Sequence, residues 1–345
     1  MVSESRLIRA CQRKKVDCTP VWLMRQAGRY LKEYRKIREK VPFLKMCKTP
    51  EIAVEVTILP VEKLNVDAAI LFADILLPLE MMGVKFDIVK DEGVVIHNPL
   101  GNMKNVKSLR DEGNPEEELS FVGRAIRLIQ RELAGRVPLI GFSGAPFTLA
   151  SYLIEGGHST NYLQTKRLIY QEPEMWHLLM GKLSRVVLKY LEMQIKSGVD
   201  VLQIFDSWIG CLNPEDYKKF VMPYTKKVFT GLKKYNLPVI HFATGSSELL
   251  ELMKNAGGEV IGIDWRINLD LAWKRIGYDV GIQGNLDPAV LLGPREEIRK
   301  RVRDILTRAE NRPGHIFNLG HGVLPNTPVE NVIAFVEFVH NLSKR

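Results

Sequence analysis

The reading of the chain turns on one stretch, Pro20-Val21-Trp22-Leu23-Met24-Arg25-Gln26-Ala27-Gly28-Arg29, which continues through Tyr30 to Arg38. Pro20 to Met24 is a short apolar run of the kind that forms a buried strand. It breaks directly into two arginines four residues apart around an Ala-Gly pair, and Arg35 and Arg38 follow. An apolar strand that ends in fixed positive charge sets that charge either in solvent or against a polyanion. Arginine stays protonated and grips carboxylates or phosphates through paired N–H donors. Gly28 has no Cβ, which lets the backbone amides of Ala27 to Arg29 approach the same anion.

The same pattern recurs outward from this stretch. After Val21–Met24, strand-length apolar runs occupy 68–72, 137–142, 199–205, 238–242, 260–263, 280–282 and 316–319. Segments of helical periodicity separate them, at 50–64, 116–133, 173–196, 214–234, 246–255, 270–274, 295–309 and 329–342. Thr49-Pro50, Asn213-Pro214 and Thr327-Pro328 each place a capping residue before a proline suited to a first helical turn. Strands apolar throughout, each followed by a helix, imply a parallel sheet covered on its outer face. Eight such units predict a single-domain (β/α)₈ barrel spanning 1–345, with a doubly wound sheet as the alternative. One insertion departs from the pattern. Val84–Val89 and Val94–His97 read as a β-hairpin about the turn Lys90-Asp91-Glu92-Gly93.

Composition narrows the function. The 345 residues are 46% hydrophobic and 26% charged, ordinary for a globular chain, with a net charge of +9. The basic residues are interspersed with acids, as in 295–301, and show no aromatic–basic interleaving, which argues against nucleic acid and for an acidic small substrate. Cys11, Cys18, Cys47 and Cys211 form no CxxC pair, and no HExxH or paired His/Cys set occurs, so no metal is implied. The start, Met1-Val2-Ser3-Glu4-Ser5-Arg6, lacks a signal-type apolar region. The most apolar window, 68–82, is interrupted by Asp74, Pro78 and Glu80, so no membrane span is expected. A cytoplasmic location follows as an expectation.

In a barrel, polar groups just past the C-terminal ends of the strands share one mouth. Those positions hold Arg25-Gln26, Ala73-Asp74, Ser143-Gly144, Asp206-Ser207, Thr244-Gly245, Asp264-Trp265-Arg266, Asn285 with Asp287, and Gly320-His321. Asp74 emerges from the apolar Ile70-Leu71-Phe72-Ala73, either to cap the following turn or to stand in a dry pocket where it stabilises a developing cation. The strand–turn–helix Gly141 to Tyr152 has neither P-loop nor GxSxG spacing, so Ser143 is a poor nucleophile candidate, and Tyr152 fits a mouth or a core equally. His321, between Gly320 and Gly322, is structural or ligand-facing, and His241 reads as a core residue.

Taken together, Met24-Arg25-Gln26-Ala27-Gly28-Arg29-Tyr30, Leu71-Phe72-Ala73-Asp74-Ile75-Leu76, Gly141 to Tyr152, Phe205-Asp206-Ser207 and Gly320-His321-Gly322 resemble the uroporphyrinogen decarboxylase family. The order and spacing agree from about Pro20 to the last helix. The resemblance implies a distorted barrel, commonly a homodimer, that converts the four acetate arms of uroporphyrinogen III to methyls without metal or cofactor, giving coproporphyrinogen III in porphyrin and haem biosynthesis. By the same resemblance Asp74 binds the pyrrole N–H groups, and Arg25, Arg29 and Arg38 hold substrate carboxylates. Gln26, Ala27 and Gly28 supply further donors, Tyr152, Ser207 and His321 make the remaining polar contacts, and Phe43 lines the pocket. Arg25 is a candidate proton donor, although a guanidinium is a poor acid, so a water or a substrate carboxyl polarised by it is equally eligible. Lys32 and Phe147 depart from the family pattern away from this chemistry. The related cobalamin-dependent methyltransferases carry a His-x-Cys zinc site, where this chain reads His241-Phe242-Ala243. A tetrapyrrole-binding protein without catalysis is the remaining alternative.

Overall fold

The computed structural model describes residues 4–89 and 93–345. Seven parallel strands form one curled sheet: β1 (Ala69–Ile70), β4 (Leu139–Gly144), β5 (Val201–Phe205), β6 (Val239–Phe242), β7 (Val260–Gly262), β8 (Gly281–Gln283) and β9 (His315–Ile316), paired in that order. Val21 closes the ring between the two ends of this sheet. Phe317 N donates to Pro20 O at 2.8 Å on one side, and Asp67 N donates to Val21 O at 2.8 Å on the other.

The expected first strand is therefore a single bridge rather than a full strand, and the reason lies in its donors. Pro20 has no N–H. Val21 N donates to Asp67 Oδ2, Leu23 N to Gln26 Oε1 and Met24 N to Asn318 Oδ1. Side chains take the amides that a ladder would use, so the barrel is distorted at this seam and the chain turns early into Arg25.

Inward-facing residues fill the barrel. Trp22, Met24, Ala68, Ile140, Val201, Ile240, Val260 and Ile316 pack together with Leu7, Ile8 and Cys11 of the helix Arg6–Cys11. A polar line crosses this core: Trp22 Nε1 donates to Gln283 Oε1 at 2.9 Å, and Gln283 Nε2 donates to Gln203 Oε1 at 2.9 Å. Trp22→Phe strands the buried Gln283 oxygen and is expected to cost about 1–3 kcal/mol. A urea titration checks it: the midpoint should fall with an unchanged slope.

Most expected helices are present, including Pro50–Leu64, Arg295–Ala309 and Val329–Leu342. Two capping expectations are corrected. Thr49 Oγ1 donates to Lys45 O instead of capping, and Pro328, not Thr327, occupies the capping position of the last helix. Asn213 does cap, accepting from Asp216 N at 2.9 Å. The expected helix 214–234 is interrupted by a π-helical turn, Tyr217–Val221, beside Pro223, whose missing N–H removes one α-helical bond. The antiparallel hairpin pairs β2 (Phe86–Val89) with β3 (Gly93–Ile96), and the turn residues Lys90 to Glu92 lie outside the described residues. Among the described residues, no helix is long and apolar enough to cross a membrane.

Candidate active site

Arg25 stands directly past the Val21 bridge with φ +59°, a left-handed conformation that an arginine adopts only under constraint. Gly322 supplies part of the constraint. A Cβ at Gly322 would lie 2.4 Å from Arg25 Cδ and 2.7 Å from Cγ, so only glycine lets the arginine stem pass. Gly322→Ala is expected to swing the guanidinium away and lower kcat/KM about 10- to 100-fold, since misplacement by about 1 Å can cost that much. Circular dichroism and thermal unfolding near wild type would show that the loss is local.

Asp74 follows β1 on a half-buried turn. Its Oδ1 accepts from Leu76 N at 2.8 Å, so one oxygen caps the turn and the structural role expected for it is real. The other oxygen has no partner within the chain among the described residues. Burial pushes the carboxyl up to about 6, against the opposing pull of Leu76 N–H and of Arg25. Phe43 and Tyr34 each meet Phe72, two residues before Asp74, edge-on at 5.5 and 5.9 Å. Tyr152 is close enough that both Asp74 and Arg25 act on its phenol, which burial raises to about 12, and its ring rests edge-on against Trp208 at 5.8 Å.

Arg25, Arg29 and Arg38 form no ion pair among the described residues, and Arg38 Nη1 donates only to Val41 O, at 3.3 Å. All three act on the buried Tyr34 phenol, which gathers three guanidinium groups near one aromatic residue. Arg35 is different. Its Nη1 donates to Arg29 O and Tyr30 O, so it braces the loop. The backbone amides of Ala27, Gly28 and Arg29 donate no hydrogen bond among the described residues, while Gln26 is wholly engaged. Gln26 Oε1 accepts from Leu23 N, its Nε2 donates to Ala68 O, and its backbone O accepts from Tyr30 Oη at 2.6 Å. Its side chain ties the arginine loop to the barrel and offers nothing to a ligand in this geometry.

His321 accepts from Gly322 N at Nδ1, 2.7 Å away, so its neutral ring carries the proton on Nε2 as a donor. Burial, then Arg25 and Arg266, depress its protonation to about 4, which keeps it neutral near pH 7. Ser207 is half-buried, with its backbone O accepting from Thr244 Oγ1 at 2.7 Å. Behind it, Asp206 is fully buried beside Thr148 Oγ1 at 3.5 Å and His241 Nε2 at 3.6 Å, and burial raises its carboxyl. His241 thus serves a buried pair. Among the described residues, no three His, Cys, Asp or Glu side chains are grouped as a metal would require.

The structure brings Arg25, Asp74, Tyr152 and His321 to one mouth. Sequence reasoning missed Tyr34 and Trp208, which shape it, and gave Gly322 no part in placing Arg25. The glycine had a signal in Gly320-His321-Gly322, whereas Tyr34 and Trp208 look like ordinary core aromatics in the chain.

Comparison with known proteins agrees with this geometry. A model of the uroporphyrinogen decarboxylase family matches residues 2–342. The chain is 58% identical to the uroporphyrinogen decarboxylase of Carboxydothermus hydrogenoformans, over 97% of this chain and 96% of that one. It is 52% identical to the namesake from Sorangium cellulosum, over 98% and 97%. Among solved structures, a methyltransferase from Methanosarcina mazei superposes with a TM-score of 0.81 at 19% identity, covering 97% of each chain, a likeness of fold alone.

Proposed function

The chain belongs to the uroporphyrinogen decarboxylase family, and from that membership we infer how its own residues carry out the decarboxylation. The reaction removes carbon dioxide from the four acetate arms of uroporphyrinogen III, leaving methyls and giving coproporphyrinogen III. The observation that carries the residue-level reading is a half-buried Asp74 that, among the described residues, has one oxygen without a hydrogen-bond partner and stands near arginines that form no salt bridge.

Protonation of a pyrrole carbon beside the acetate arm makes the ring cationic. That ring is the electron sink: the acetate C–C bond breaks, carbon dioxide leaves, and its bonding electrons neutralise the ring. Protonation of the resulting methylene and loss of the ring proton give the methyl pyrrole. We propose that this sequence needs no cofactor, because the substrate supplies its own sink. Asp74 accepts the pyrrole N–H groups and stabilises the cation where it forms. Its raised pKa reflects the dry surroundings that strengthen this interaction. Arg25, Arg29, Arg38 and the Ala27 to Arg29 amides hold peripheral carboxylates. Tyr152, Ser207 and His321 Nε2 are the remaining polar contacts, and Phe43 and Phe72 wall the ring. A neutral His321 is no acid near pH 7, so the proton comes from a water or a substrate carboxyl polarised by Arg25.

The same reading takes residues 1–345 as one barrel domain, paired as a homodimer on the strength of the family resemblance and placed in the cytoplasm by its unpaired cysteines and its start without a signal-type apolar region. The deciding assay is anaerobic incubation of EDTA-treated protein with uroporphyrinogen III, followed by oxidation and separation by carboxylate number. Seven- to four-carboxylate porphyrins support the reading. Bound substrate that stays eight-carboxylate would turn it into tetrapyrrole binding alone.

A further inference from the structure

One guanidinium at the mouth has no part in the scheme above. β7 ends at Gly262, and the chain continues Ile263-Asp264-Trp265-Arg266 at the same end of the barrel as Arg25 and His321. Asp264 is 2% exposed, and its carboxylate accepts from Gly245 N at 2.6 Å, from Arg266 N at 3.0 Å and from Arg266 Nη1. Two backbone amides already serve this carboxylate, so it anchors the guanidinium without depending on it. The guanidinium carbon of Arg266 stands over the Trp265 ring, 4.2 Å from its centre. Trp265 in turn packs on Gly320, where a Cβ would come within 2.8 Å of the ring. The neighbouring His321 feels both Arg25 and Arg266.

The Arg266 side chain is nonetheless 50% exposed, and its Nε and Nη2 groups donate to nothing among the described residues. A fork fixed by a carboxylate and an aromatic shelf loses little freedom when it takes a ligand. The proposed substrate carries carboxylates around its whole periphery, whereas Arg25, Arg29 and Arg38 all come from one sector of the barrel, after Val21. β7 lies three strands round the ring from that sector, separated from it by β8 and β9.

We propose that Arg266 is a further carboxylate-binding residue of the mouth, holding a peripheral carboxylate of the tetrapyrrole from the β7 side. The inference rests on the function proposed above. It is a binding and specificity role: the guanidinium that acts on Asp74 is that of Arg25, whereas Arg266 acts on His321.

The test is anaerobic steady-state kinetics of wild type, Arg266→Gln and Arg266→Lys on uroporphyrinogen III, with inhibition by coproporphyrinogen III measured in parallel. Loss of one charge-assisted contact is expected to raise KM about tenfold or more in the glutamine variant, with kcat nearly unchanged and partial rescue by lysine. Equal weakening of substrate and four-carboxylate product assigns the contact to a propionate, and weakening of the substrate alone assigns it to an acetate. Unchanged KM and product inhibition in Arg266→Gln, with wild type active, would overturn the inference. So would a lysine variant no better than glutamine accompanied by a lowered melting temperature, which marks a purely structural arginine. An inactive wild type would instead sink the decarboxylase reading itself.

Discussion

Asp74→Asn is expected to lower kcat by about 10²–10³-fold or more, the scale of losing a preorganised charge-stabilising group, while the protein stays folded. The asparagine oxygen can still accept from Leu76 N, so the turn survives, but the negative charge facing the ring cation is gone. The acid limb of the pH profile supplies a second readout. Wild type needs the ionised carboxylate, whose pKa is about 6, so kcat/KM should fall as pH drops through that value. In Asp74→Asn that limb should disappear from the residual activity. Stability should move the opposite way. The folded-state pKa lies above the unfolded one, so the fold binds this proton more tightly, and stability is lost as pH rises from about 4 through 6. Above pH 6 the variant, which has no charge to bury, should be more stable by up to about 2–3 kcal/mol. Near-normal turnover in Asp74→Asn would remove the cation-stabilising role, and a lowered melting temperature at pH 8 would contradict the burial account.

The double variant Arg29→Ala/Arg38→Ala should raise KM by about 10²-fold or more, because each charge-assisted contact to a carboxylate is worth about 1.5–3 kcal/mol. Neither guanidinium forms an ion pair within the chain among the described residues, and the only bond lost is the long one from Arg38 Nη1 to Val41 O, so unfolding should change little. The loss should shrink as salt rises, since screening already weakens the wild-type attraction. An unchanged KM for the double variant, with wild type active, would mean that these two cations face solvent. Arg35→Ala is the contrasting control, since Arg35 holds backbone oxygens of the same loop and its loss should lower stability more than affinity.

Much of this was legible in the chain. Period and spacing alone announced eight βα units, because a parallel strand buried on both faces must be apolar throughout and cannot follow another without a crossover. The strand ends announced the mouth for the same reason: chemistry there needs polar groups, which stop an apolar run. What the chain could not announce was which polar groups are spent on the fold. Gln26 and Arg25 are neighbours in one motif, yet Gln26 closes on Leu23 N and Ala68 O while Arg25 is left open. Asp74 and Asp206 both follow apolar strands. One keeps an oxygen free beside Arg25, and the other is sealed against His241 and Thr148.

The sequence by itself therefore determined the repeat, the end of the barrel that carries the site, and the residue types available there. These follow from local periodicity and from the cost of burying unpaired charge. Only the tertiary structure decided that the first strand shrinks to a bridge, that Gly322 forces Arg25 into the mouth, and that Asp264 holds Arg266 against Trp265. Each of those depends on partners far apart in the chain, and no local pattern records which distant donor meets which acceptor once the ring has closed.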